Sequence, residues 1–219
     1  MTAALLAGGS LAVLLAAGLP AQDPSEIADP PPDKIVIEVA TVNGSGCPRG
    51  TAAVAVSDDN TAFTVTYSDY LAQAGGNSSP TAFRKNCQLS LKVYVPHGFT
   101  YAIASADYRG FASLERGAKG TEKASYYFQG SPDTGAKSHV FTGPVADNWQ
   151  ATDETEVTQL VWAPCGKQRN FNINTELRVD VGTSDRTRTS FMTMDSTDGD
   201  ISTVYRVKWK ECQRDGDEG

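Results

Sequence analysis

Four cysteines, Cys47, Cys87, Cys165 and Cys212, are the side chains of this 219-residue chain whose types could do the most chemistry. A thiolate can bind zinc or act as a nucleophile, and an oxidised pair becomes a covalent clamp. No Cys-x-x-Cys pair is present, and both histidines lie far from the cysteines in sequence, which argues against zinc. An even count in an exported chain implies two disulfides, which leaves no free thiol for catalysis. Three pairings are open in principle. The favoured one joins Cys47 to Cys87 and Cys165 to Cys212. It ties the loop after the first strand to the strand around Leu89, and the last strands to the segment 157–162.

The other reactive types are scattered. His97 follows Pro96 in a turn and His139 begins a short strand. A Ser-His-Asp triad would need one of them, yet no Gly-x-Ser-x-Gly elbow exists to present a serine. A glycosidase would need two carboxylates facing across a cleft. Asp107, Glu176 and Asp180 sit in strand patterns, but their spacing pairs none of them. The acidic run Asp195–Asp200 has neither the length nor the terminal glutamate of an EF-hand loop, and reads as a hairpin turn. No catalytic residue, metal ligand or cofactor motif is therefore assigned. Aromatic rings remain. Trp149, Tyr67, Tyr70, Tyr108 and Tyr127 are candidates to stack on a ligand such as a sugar ring, whereas Trp162 and Trp209 read as core.

Short strands must position these groups. Apolar residues alternate at Ile35, Ile37 and Val39, at Phe63, Val65 and Tyr67, and from Leu89 to Val95. Further runs include Phe99, Tyr101 and Ile103, then Ala124, Tyr126 and Phe128, a short one at Val140-Phe141, and one over 157–162. Phe171 to Val181, Phe191 to Met194 and Ile201 to Trp209 are expected to form a closing meander. The period of two implies antiparallel sheets with one wet face. Two short helices are expected, through Asp69–Ala74 and from Ser79-Pro80 to Asn86. About ten strands with polar turns predict an all-β antiparallel sandwich or jelly roll.

Charge and hydropathy bound the rest. The net charge is −7. Much of it lies at the ends, in Asp23, Glu26, Asp29 and Asp33, and in Glu211, Asp215, Asp217 and Glu218, so the body is nearly neutral. A body without a basic stripe argues against nucleic acid. Residues 1–21 are uncharged and largely apolar, as in a secretory leader, though without a basic start; their glycine-interrupted run is short for a membrane anchor. The organisation expected is a leader at 1–21, a Pro-rich acidic linker at 22–34, one domain at 35–212 and an acidic tail at 213–219.

The stretches Val42-Asn43-Gly44-Ser45-Gly46-Cys47-Pro48, Asn60–Tyr67, Phe83–Cys87, Ala106–Gly110, Val161–Gly166 and Arg169–Leu177 carry a resemblance. Together they resemble an uncharacterised secreted family, a domain of unknown function common in actinobacteria and found in filamentous fungi. It covers roughly residues 35–212. The resemblance implies secretion and a β-rich fold, and brings no activity with it.

Three functions follow as expectations. The first is a secreted, non-catalytic module that binds an extracellular glycan or protein surface. The second is a structural or adaptor subunit of an extracellular assembly, suggested by the proline-rich arm. The third is a secreted hydrolase using carboxylates.

Overall fold

A computed structural model describes residues 27–132, 134–156, 159–194 and 202–212. The expected leader, the turn at 195–200 and the tail lie outside the described residues. Twelve strands follow one another: β1 Val36–Asn43, β2 Ala52–Val56, β3 Ala62–Tyr67, β4 Leu71–Ala74, β5 Arg84–Tyr94 and β6 Phe99–Leu114, then β7 Lys119–Phe128, β8 Thr134–Thr142, β9 Val145–Glu154, β10 Phe171–Asp180, β11 Ser190–Thr193 and β12 Thr203–Glu211. They form two antiparallel sheets. One has the order β1-β5-β10-β7-β8; the other runs β2-β3-β12-β6-β11-β4, with β9 also paired to β6. The all-β expectation is met, with more strands than the alternation revealed.

The alternation decides what goes inside. Along β5, Cys87, Leu89, Leu91 and Val93 are buried while Gln88, Lys92 and Tyr94 are exposed. Along β10, Phe171, Ile173, Thr175, Leu177 and Val179 point the same way. The facing sheet answers with Phe63, Val65, Tyr101, Tyr205 and Trp209. Tyr101 meets Phe128 and Phe171 edge-on, at centroid distances of 5.5 and 6.4 Å. Each such side chain contributes about 1.5–3 kcal/mol by leaving water.

Four expectations need correction. Residues 171–209 are no meander: β10 lies in one sheet, while β11 pairs with β4 and β6 and β12 with β3 and β6. Where a helix was expected through Asp69–Ala74, β4 pairs with β11 instead. Burying Tyr70 and Ala72 outweighs local propensity there. Ser79 to Phe83 makes only a turn, closed by the Ala82 N–H to Ser79 oxygen bond of 2.9 Å, before β5 starts at Arg84. The described part of 157–162 is not strand, and its neighbour Ala163 docks on β6 by donating to the Tyr101 oxygen at 2.9 Å.

The proline-rich segment also differs from a free linker where it is described. Ala28 bridges to Trp209, and Pro31 is buried. Asn60 holds this strap. Its side chain donates to the Pro31 and Asp33 oxygens, both at 3.0 Å, and accepts from the Ile35 N–H at 3.1 Å. Asn60 does so at φ 56°, a conformation asparagine tolerates better than most residues.

The disulfides join Cys47 to Cys87 and Cys165 to Cys212. Gly46 allows the first bridge: a Cβ there would stand 2.2 Å from the Tyr70 ring.

Candidate functional site

Two places gather functional groups, and they differ in access. The first is a polar nest inside the sandwich. On β7 the inward positions include Ala124, Tyr126 and Phe128, and the same alternation turns Glu122 inward. Register places Glu122 beside Leu177 of β10 and His139 of β8. Asp153 enters from β9, next to Ala106. Its carboxylate accepts from the Tyr126 hydroxyl at 2.7 Å and meets His139 Nε2 at 2.6 Å. Tyr67, Tyr70 and Tyr205 surround the nest, with the Tyr70 hydroxyl 3.1 Å from that of Thr175.

Glu122 has no exposed surface, and neither carboxylate oxygen has a hydrogen-bond partner. Burial, and then the Asp153 charge, push its carboxyl up to about 9. At neutral pH it is a protonated acid. Burial likewise raises the Tyr67, Tyr70 and Tyr205 phenols. A buried neutral acid close to a second carboxyl is the arrangement of acid–base pairs, but Glu122 is sealed from solvent. His139, with its side chain 30% exposed, and the half-buried Tyr126 are the partly open members of the nest.

The second place is an open cleft of about 1040 Å³ at the end of the sandwich where β5 and β12 finish and β6 and β10 begin. One wall is Val93–Tyr101, the other Ala163–Arg169; Glu211 and Cys212 complete the lining. The walls are tied together. The Thr100 hydroxyl donates to the Ala163 oxygen at 2.6 Å, and the Cys212 N–H to the Gly98 oxygen at 2.8 Å. The Cys165–Cys212 bridge adds a covalent link. Tyr94, 40% exposed, stands on the rim with its hydroxyl donating to Glu38 at 3.1 Å. His97, Lys167, Arg169 and Glu211 are all exposed.

The ring candidates land mostly elsewhere. Tyr67, Tyr70, Tyr108 and Trp149 are buried, so they offer no face to a ligand. They sit at inward positions, and the Trp149 indole donates to the Thr193 oxygen at 3.2 Å. Tyr127 keeps part of its ring outside. It lies beside Asn172 and Thr134 and lines a crevice of about 60 Å³ with Gly135 and Val161. Trp162 is half-buried at the surface, under Lys210 at 6.0 Å.

The acids expected on strands form no pair. Asp107 binds Thr152 at 2.7 Å and Arg206. Burial raises its carboxyl, but these two partners outweigh that and hold it below its usual range. Glu176 takes Arg84 at 2.8 Å, and Asp180 accepts from the Gly182 N–H at 2.8 Å. Among the described residues no three His, Cys, Asp or Glu side chains gather as a metal site.

Residues 33–212 match the model of a family described as a domain of unknown function, DUF4360. The chain belongs to this family. An "uncharacterized secreted protein" of Arthroderma benhamiae is 38% identical to it over 183 residues, which are 84% of this chain and 74% of the relative. That relative and the two disulfides make this DUF4360 chain a secreted protein. Among solved structures, the enzymatically active domain of bacteriophage CBA120 tailspike protein 4 aligns with 78% of this chain, at 12% identity and a TM-score of 0.25. The chain spans about a fifth of that protein, and a likeness so low carries no argument.

Proposed function

We propose that this secreted DUF4360 chain is a non-catalytic binding module that holds an extracellular glycan or protein surface in the cleft beside the Cys165–Cys212 bridge. The observation carrying this reading is the cleft itself. It is preformed, cross-linked and about 1040 Å³ in volume, at the upper limit of the roughly 300–1,000 Å³ usual for ligand sites. Its lining mixes an exposed ring, Tyr94, with turn backbone and a few charged tips, and holds no pair of carboxylates. A binding surface needs that mixture: rings supply area, and polar groups supply orientation. The test is a glycan array together with capture from secreted proteins, using the folded chain as bait. Selective retention is expected, and no retention of either kind would remove the reading.

A second reading, a hydrolase using carboxylates, draws on Glu122 and Asp153 with His139 at their open side. It predicts turnover in a broad hydrolase screen that Asp153→Asn abolishes. The adaptor reading lost its motive where the proline-rich strap is described, because that strap packs on the domain itself.

A further inference from the structure

The chain is acidic overall, at −7, yet the cleft carries the opposite sign. Lys167 and Arg169 belong to one wall and His97 to the other, and Glu211 is the one acid among the described lining residues. Among the described residues neither Lys167 nor Arg169 forms an ion pair. Like most exposed cations here, they stay unpaired; Lys34 with Asp58 at 2.9 Å and Arg188 with Glu115 at 3.0 Å are among the few that find acids, so what sets this pair apart is its place in the cleft lining. Two uncommitted cations in a concave site concentrate positive potential where a ligand sits.

The backbone around the cleft narrows the ligand further. A peptide adding as a strand needs a free sheet edge. The strands ending here have none: β5 lies between β1 and β10, and β12 between β3 and β6. What the cleft does offer is the Tyr94 ring, carbonyls and N–H groups of two turns, and cationic tips. Sugar rings stack on exposed aromatics, and their hydroxyls pair with backbone groups.

We infer that the ligand of this cleft is an anionic glycan, whose carboxylate or sulfate groups are held by Lys167 and Arg169 while a sugar ring lies on Tyr94. This inference rests on the binding-module reading and names its ligand class. Arg169 supplies a planar fork matched to a carboxylate or sulfate, and Lys167 a point charge. Such attraction is screened by salt, because both side chains are exposed.

Titration calorimetry on the disulfide-intact protein tests it with four probes: oligogalacturonate, a sulfated oligosaccharide of equal length, a neutral glucan oligomer and a poly-glutamate peptide. At least one anionic probe is expected to bind, at least tenfold more tightly at 50 mM than at 500 mM salt, and the neutral oligomer weakly or not at all. The two anionic arms separate carboxylate from sulfate as the source of charge. Lys167→Gln/Arg169→Gln is expected to lose tenfold or more, and Tyr94→Ala a similar factor, each with an unchanged melting temperature. Tight neutral-glucan binding that the double variant leaves intact would overturn the anionic assignment while the module reading stands. Binding of a poly-glutamate peptide but of no glycan would overturn the glycan class. Failure of all probes and of the secreted-protein capture would take the module reading with it.

Discussion

Glu122 is the residue whose chemistry departs most from its ordinary state, and its pH behaviour has a definite sign. Its folded carboxyl titrates near 9, against an ordinary 4.5. Between those values the folded state binds more protons than the unfolded state, so stability falls as pH rises. The contribution is greatest below pH 4.5 and is lost through pH 9. At pH 7 the protonated group costs roughly 3 kcal/mol relative to acid conditions. Glu122→Gln keeps a neutral polar group and removes the slope. Its melting temperature should match the parent at pH 4 and exceed it by several degrees at pH 8. An equal fall in both proteins between pH 5 and 9 would refute this. Asp59, held down to about 2 by the Ser57 and Thr61 hydroxyls, titrates below that window.

Asn60 makes a second prediction at this scale. Asn60→Gly preserves the positive φ and deletes three bonds to the strap. It should cost about 1–3 kcal/mol in thermal melts and speed proteolysis around residues 28–34. Unchanged cleavage would show that Ala28 and Pro31 hold the strap without it.

The sequence held a usable signal for Glu122 that its residue type concealed. The run Ala124, Tyr126, Phe128 continues backwards to Glu122 at the same period, but a carboxylate reads as solvent-facing unless its neighbours can be seen. The tyrosines failed in the opposite direction. Their hydroxyls suggested surface, whereas Tyr67, Tyr70 and Tyr108 belong to the interior.

At the scale of elements, β6 depends on a close approach. A Cβ on Gly110 would fall 1.9 Å from the Thr193 oxygen and 2.6 Å from the Trp149 ring. The obstacle is partly backbone and cannot swing away. Gly110→Ala should therefore cost at least the roughly 1–3 kcal/mol of an overpacked core, read as a lower melting temperature. The bridge at the cleft makes a different claim. Cys165→Ser/Cys212→Ser should lose about 2–4 kcal/mol and speed hydrogen exchange at Ala163, whose amide ties the cleft wall to β6. Unaltered exchange would mean that the wall is held by its hydrogen bonds alone.

Legibility varied by element for a physical reason. β5 and β10 alternate large apolar side chains with polar ones, so pattern alone exposes them. β9 passes unnoticed because its inward residues are Trp149, Ala151 and Asp153, of which only one is large and apolar. β4 is too short to set its own period, and its pairing with distant β11 decides its form. The expected meander failed because strand adjacency in sequence says nothing about which sheet receives each strand. The cysteines did better, since the pairing of sequence neighbours, 40 and 47 residues apart, closes the shorter loops.

At the scale of the molecule, access separates the two candidate sites. Glu122 is sealed within the sandwich, where its protonation is expected to make stability depend on pH; the cleft is open and cross-linked, and its described lining holds more cations than acids. Sequence reading did not single out the residues of the cleft, because Tyr94, Arg169 and Glu211 come to one place only through the order of the strands. The most direct measurement is retention on an array of extracellular glycans and secreted proteins, comparing the parent with Tyr94→Ala/Arg169→Gln and with Glu122→Gln. The parent and Glu122→Gln are expected to be retained alike while the cleft variant, equally folded, is lost. Retention that survives the cleft substitutions, or that disappears with Glu122→Gln alone, would contradict this.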